Sequence, residues 1–267
     1  ALSGDGADEL FCGYSPFQSA NYLKILSLIP QNFGHMITSF MERIPSQDHY
    51  MSYHFLIKHI SRGFGWPSHQ QVFRWMSPFS DNNISKLLNK EFTSEYSAKN
   101  MWNEILPKEK YNKSNSIDEL STIFRELYLP NDILVKVDRT SMASSIEARV
   151  PFLDHRLIEY SWKIPYSLKF RNGKTKWILR KILQNYVPKN LTERPKMGFG
   201  IPLNDWLRGP LRDWAENLLD EKKLSQEGYF NPKIIRDKWE DYLSNKNNSL
   251  YDLWNVLMFQ AWRDKNN

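Results

Sequence analysis

Residues 1–14, ALSGDGADELFCGY, crowd reactive side chains into one short stretch. Ser3-Gly4-Asp5-Gly6 suits a turn that a ligand can approach closely, because glycine adopts positive φ and carries no obstructing side chain. The following Ala7-Asp8-Glu9-Leu10-Phe11 is good helix material. A glycine-rich turn feeding a helix N-terminus presents free N–H groups and a positive dipole end to an anion. Asp5, Asp8 and Glu9 run against a bare phosphate cradle. They fit if a divalent cation or a cationic substrate accompanies the phosphate, since Mg²⁺ is usually held by carboxylates together with substrate phosphates. The same acids also suit an ordinary first helical turn, which the dipole favours.

The elements that must position this stretch read as helices. Ser116-Ile117-Asp118-Glu119 has the form of a capping box, and Leu120, Ile123, Phe124 and Leu127 follow at helical spacing. Pro130 is expected to stop that helix. Ile178, Ile182 and Tyr186 recur every four residues, with Pro188 ending the segment. Ile235, Trp239, Tyr242 and Leu243 form another stripe, as do Leu250, Trp254, Leu257 and Trp262. Each stripe reads as helix packing. Polar, looser segments fall near Gly63–Ser68, Asn89–Asn115 and Asp220–Pro232. No stretch alternates cleanly enough for a strand, and no internal repeat occurs.

Composition sets outer bounds. The chain has 267 residues, enough for one large domain or two small ones. Aromatic residues make up 14%, too many for a disordered chain. No apolar run reaches the roughly 18 residues that cross a bilayer, so no membrane partner is expected. The one cysteine, Cys12, excludes an internal disulfide and suits a reducing, cytoplasmic compartment. There is no signal peptide and no initiator Met, so a piece of a longer chain is expected. Charge is uneven. Ten Lys or Arg between Ser161 and Gly200 face one acid, Glu193. Such a cluster attracts phosphates of a nucleotide or a nucleic acid, or it is a solvated helical face. No nucleic-acid-binding motif or set of stacking aromatics accompanies it, so no nucleic-acid partner is expected. His49, His54 and His59 are spaced by five, and each step turns a helix by about 140°, so one helix cannot converge them on a metal.

Four blocks together resemble the synthetase domain of glutamine-hydrolysing asparagine synthetases. They are SGDGADELFCGY, then LPNDILVKVDRTSMASSIEARVPFLDHRLIEY (Leu129–Tyr160), GKTKWILR (Gly173–Arg180) and RPKMGFGIPLNDWLR (Arg194–Arg208). The resemblance implies a mainly α chain. It would be the helical C-terminal portion of an α/β PP-loop ATP pyrophosphatase domain, with most of the parallel sheet missing. Residues 1–267 would then be a partial ATP-binding domain lacking both the glutaminase domain and the S-G-G-x-D-S loop.

In such enzymes a carboxylate attacks the α-phosphate of ATP, giving an acyl-adenylate and pyrophosphate with Mg²⁺ neutralising charge. Ammonia from a glutaminase domain of the same parent chain then displaces AMP. Carried onto this sequence, Ser3, Gly4 and Gly6 would lie along the nucleotide, and Asp5 would serve the intermediate and the ammonia step. Asp8 would be the Mg²⁺ ligand and Asp132 an acid near the substrate. Lys176 would reach the α-phosphate, and Lys196 could touch pyrophosphate. Arg149 could contact ligand, or it could be the buried ion-pair partner of Glu147 or Asp154. The implied cofactors are ATP and Mg²⁺. The acceptor is aspartate or another carboxylate, such as a sugar acid in polysaccharide synthesis, and a homodimer is left open. Relatives that close β-lactam rings use a Tyr–Glu pair where Asp5 and Asp132 stand here, which favours amide synthesis. Cys12 departs from the family's usual Gly. Without the S-G-G-x-D-S loop, the 267 residues alone are expected to be inactive.

Overall fold

A computed structural model describes residues 1–43, 57, 60–95, 103–106, 116–193, 200–246 and 249–266. The described residues are mainly helical, and their only β pairings are isolated bridges. No described helix is long and apolar enough to cross a membrane. His49, His54, His59 and Lys196 lie outside the described residues. The chain divides into two units. One comprises residues 1–28, 67–72 and 108–197, and the other residues 29–66, 73–107 and 198–267.

The first unit holds the opening turn. Its one-turn helix Ala7–Leu10 packs on the stretch Phe124–Ile133 and on the helix His155–Lys163, burying Leu10 and Phe11. The helix Ser15–Ser27 lies against Ser116–Ile123, whose Leu120 and Ile123 are fully buried. Glu119, the acid of the capping-box pattern, is itself buried and accepts a hydrogen bond from Ser68.

Pro130 does not stop the helix. After Ile123 the chain widens into a ten-residue π-helical stretch, Phe124–Ile133, with Pro130 inside it, and resumes as an α-helix over Leu134–Met142. In an α-helix Pro130 would remove one backbone bond and press its ring on the carbonyl four residues back. The wider i→i+5 register relieves that clash, so the segment bulges and continues.

The second unit is a helical cluster around Leu207, Leu219, Leu224, Ile235, Trp239 and Leu257, all fully buried. The Ile235/Trp239/Tyr242 stripe faces this core as its spacing predicts, and Trp239 donates its indole N–H to Glu216 at 2.8 Å. Asp220–Pro232, which reads as loose and polar, contains the helix Glu221–Glu227. Asp220 caps it by accepting from the Lys223 N–H, and Gly228 ends it at φ 76°. Both signals are in the sequence, but seven residues are too few to show a period.

Two stripes depart from the packing expectation. Ile182 and Tyr186 are exposed, Tyr186 at 81%. Trp262 is also exposed, and the buried face of the helix Leu250–Asn266 is Leu253, Val256, Leu257 and Gln260. Helical spacing groups residues on a face without stating which face is covered.

Trp239→Ala should therefore cost about 3–5 kcal/mol in guanidinium unfolding, as large-to-small core changes do. Trp262→Ala should stay within about 0.5 kcal/mol, as surface changes do. A second expectation concerns Cys12, which is fully buried, its thiol pushed up to about 12 by burial. A thiol reagent at pH 8 should leave the native protein unmodified and label one site once it is unfolded.

Candidate active site

The opening turn is pinned at both ends by backbone bonds. Leu2 pairs in parallel with Arg149: the Ser3 N–H donates to the Arg149 carbonyl at 2.8 Å, and the Arg149 N–H to the Ala1 carbonyl at 2.7 Å. At the other end, the Gly13 N–H donates to the Asp8 carbonyl at 2.7 Å. That bond spans five residues and closes the one-turn helix in the manner of a Schellman motif. The motif needs a left-handed residue just before Gly13, and Cys12 supplies it at φ 58°. Glycine is the usual occupant. A side chain in that conformation costs roughly 1–2 kcal/mol, and burial of the thiol offsets it.

Gly6 and Gly4 serve different purposes. Gly6 is buried at φ 85°, and a Cβ there would lie 2.6 Å from Leu153 Cδ2. Its lack of a side chain is needed by the fold. Gly4 is exposed, and a Cβ added to it meets nothing within 4 Å. The side of the turn open to a ligand is thus the Gly4 side.

Each of the three acids has its own partner. The Ser3 hydroxyl donates to the half-buried Asp5. Glu9 is buried and accepts from the Tyr14 hydroxyl at 2.5 Å. Burial pushes the Glu9 carboxyl up and the Tyr14 bond partly counters that, while burial and then Glu9 raise Tyr14. The Tyr14 ring stacks on Phe124 at 4.9 Å and meets Tyr128 edge-on, so it joins the opening motif to the π-helical stretch. Asp8 pairs with Lys176, Nζ to Oδ2 at 2.9 Å, each side chain about a quarter exposed.

Lys176 reaches Asp8 because the backbone around it is tightly specified. Arg171 and Lys174 exchange two backbone hydrogen bonds across Asn172-Gly173, whose φ values of 51° and 74° are those of a type I′ turn. Asn-Gly favours that turn. Two residues on, Lys176 itself is left-handed at φ 52° and precedes the helix Trp177–Leu183. Its N–H donates to the Phe11 carbonyl at 3.2 Å. Much of the basic stretch around it is engaged locally. Lys174 pairs with Glu193 at 2.7 Å, Arg180 donates to the Thr175 and Thr192 carbonyls, and Arg171 and Lys181 flank the Trp177 ring.

Of the expected site residues, Ser3, Gly4, Asp5, Gly6 and Asp8 share the opening turn, and Lys176 joins them through Asp8 and Phe11. Asp132 is exposed on the π-helical stretch against which the opening helix packs. Arg149 pairs with Glu147 at 2.8 Å as one option foresaw, but on the surface, with both side chains about 70% exposed. Asp154 pairs instead with Arg156, which holds its carboxyl well below the usual range. Sequence reasoning passed over Tyr14 and Gly13, although both stand inside the opening motif.

The expected anion site at a helix N-terminus is weaker than the sequence suggests. A four-residue helix has little macrodipole, so positive charge here is carried by Lys176. No cluster of three potential metal ligands occurs among the described residues. Asp8 alone is one hard carboxylate, partly open to solvent. That donor set does not make a cage of its own. It does fit Mg²⁺ arriving with phosphates and water to complete its coordination.

The family model Asparagine synthase matches residues 1–264. Asparagine synthetase [glutamine-hydrolyzing] 1 of Bacillus subtilis (strain 168) is 28% identical over 100% of this chain and 40% of its own length. A putative asparagine synthetase [glutamine-hydrolyzing] of Mycobacterium tuberculosis (strain ATCC 25618 / H37Rv) is 27% identical over 98% of this chain and 38% of its own. The asparagine synthetase [glutamine-hydrolyzing] of Bos taurus is 32% identical over 46% of this chain and 25% of its own. This chain thus spans no more than 40% of the length of these relatives. No solved structure matches. With a family model covering residues 1–264, the chain belongs to the asparagine synthase family.

Proposed function

We propose that this chain forms the adenylate-handling part of an ATP-dependent asparagine synthetase. In the full-length protein the aspartate side-chain carboxylate attacks the α-phosphate of ATP and pyrophosphate leaves. Ammonia derived from glutamine then attacks the acyl carbon and AMP leaves. The observation that carries this reading is the 2.9 Å pairing of Lys176 with Asp8. It gathers a cation for phosphate and a carboxylate for a metal beside a turn whose Gly4 side is open.

Mg²⁺, when bound, neutralises phosphate charge, and Asp8 is the residue that would hold it. The backbone at Ser3 and Gly4 lines the nucleotide, with Gly6 turning the chain beneath it. The Lys176 ammonium stabilises the charge that develops on the α-phosphate, an electrostatic role. Asp5 accepts a proton from the attacking ammonia, a role a carboxylate can fill as general base. Asp132 orients the acceptor amino acid, and Lys196 meets the leaving pyrophosphate. The fold that positions these groups is the helical part of a PP-loop domain.

Pyrophosphate release measured with ATP, Mg²⁺, glutamine and aspartate tests the reading. Release by the full-length protein should require aspartate. It should fall at least ~100-fold in Lys176→Ala, as removal of a group that stabilises developing charge does, and comparably in Asp8→Ala. Stimulation by a sugar acid in place of aspartate would keep the adenylation chemistry and change the acceptor. Release with no carboxylate at all would overturn the proposal. Residues 1–267 alone should show no ATP-dependent turnover.

A further inference from the structure

Gly13 is not explained by its backbone. Its φ lies outside the left-handed region, so any residue could adopt its conformation. What it lacks is space. A Cβ built on Gly13 would stand 1.9 Å from Asp8 Oδ1, 2.7 Å from Asp8 Cγ and 2.4 Å from Lys176 Cε. All three atoms belong to the ion pair. The volume that a side chain would fill is the volume in which Asp8 and Lys176 meet.

That pair presents a second problem. On the reading above, Asp8 holds the metal and Lys176 reaches phosphate. In the structure each holds the other. A lysine ammonium 2.9 Å from a carboxylate occupies one of its oxygens and repels a divalent cation. We infer that Gly13 is a positioning residue that lets the Asp8–Lys176 pair close, and that the closed pair is a latch opposing metal binding until a phosphate ligand draws Lys176 away. Metal and phosphate then bind cooperatively, because the phosphate removes the cation that competes for Asp8. A metal without phosphate must displace Lys176 unaided. The inference rests on Asp8 and Lys176 having the roles proposed above.

The test is direct binding of Mn²⁺, a spectroscopic substitute for Mg²⁺, to the full-length protein. Free Mn²⁺ is measured by electron paramagnetic resonance, with and without ATP. Without nucleotide, Lys176→Met should tighten Mn²⁺ binding by up to roughly fivefold, the range expected for losing one partly exposed competing charge. Gly13→Ala should also tighten it, by forcing the pair apart with both charges retained. The double variant should bind no tighter than Lys176→Met, because Gly13 acts through Lys176. A tightening by Gly13→Ala that persists in the Lys176→Met background would overturn the positioning role, since the closest atoms left to the added Cβ are those of Asp8 itself. Unchanged or weaker binding in Lys176→Met would overturn the latch. With ATP present, wild type should gain more affinity for Mn²⁺ than Lys176→Met gains. Should Asp8→Asn leave Mn²⁺ binding unchanged in every background, the metal role of Asp8 fails first and the latch with it. Thermal melts of each variant separate these results from loss of fold.

Discussion

The site depends on one residue being tied twice. Lys176 donates its backbone N–H to the Phe11 carbonyl and its ammonium to Asp8. Phe11 and Asp8 belong to the same short turn, so the two ties fix both position and direction. The first tie holds the chain where the second becomes geometrically available. A surface ion pair by itself contributes about 0–1 kcal/mol and cannot organise a fold. Here the organisation comes from backbone bonds, and the ion pair is formed at low cost because they are already in place. The Asn172-Gly173 turn and the left-handed Lys176 are devices of the same kind. They spend conformational strain and glycine entropy to aim one side chain.

A parallel arrangement holds the other side of the turn. Tyr14 donates to Glu9 and stacks on Phe124, while Phe11 meets Phe152 edge-on. The opening motif is thus bound to the π-helical stretch through an aromatic contact and to residues 149–153 through the Leu2–Arg149 bridge. The π-helical widening at Pro130 matters for this reason. A helix that stopped at Pro130 would have left Asp132 in a loop, whereas the bulge keeps it in a helical stretch that the opening helix touches. Helical irregularities of this sort are frequent at functional sites.

The sequence showed some of this and concealed the rest, for physical reasons. The opening turn, the basic segment and the Ile235/Trp239/Tyr242 core stripe were legible because glycine spacing, charge and helical period are local properties. That Asp8 and Lys176 touch was not legible from spacing, because nothing local links them. The resemblance assigned each a ligand and gave no sign that they bind one another. Pro130 misled because the rule that proline ends helices presumes an α-helical register. Tyr186 and Trp262 misled because periodicity identifies a face and is silent about its cover. Gly13 was passed over because glycine in a motif is first read as a backbone requirement. Here the requirement is the missing side chain.

The distinction between backbone and side chain also decides how charge is supplied. A long helix aimed at a phosphate offers a fixed dipole that no ligand can switch off. The helix Ala7–Leu10 is a single turn, and its first acid is engaged with a lysine. The local field is therefore set by the Lys176 side chain, which has four rotatable bonds and a carboxylate to rest on. Such a cation can be masked in one state and presented in another. A fixed dipole would favour any anion at all times. On the proposed roles of Asp8 and Lys176, a masked lysine favours an anion most when a metal takes its place on Asp8, which would couple recognition of phosphate to recognition of the metal it carries.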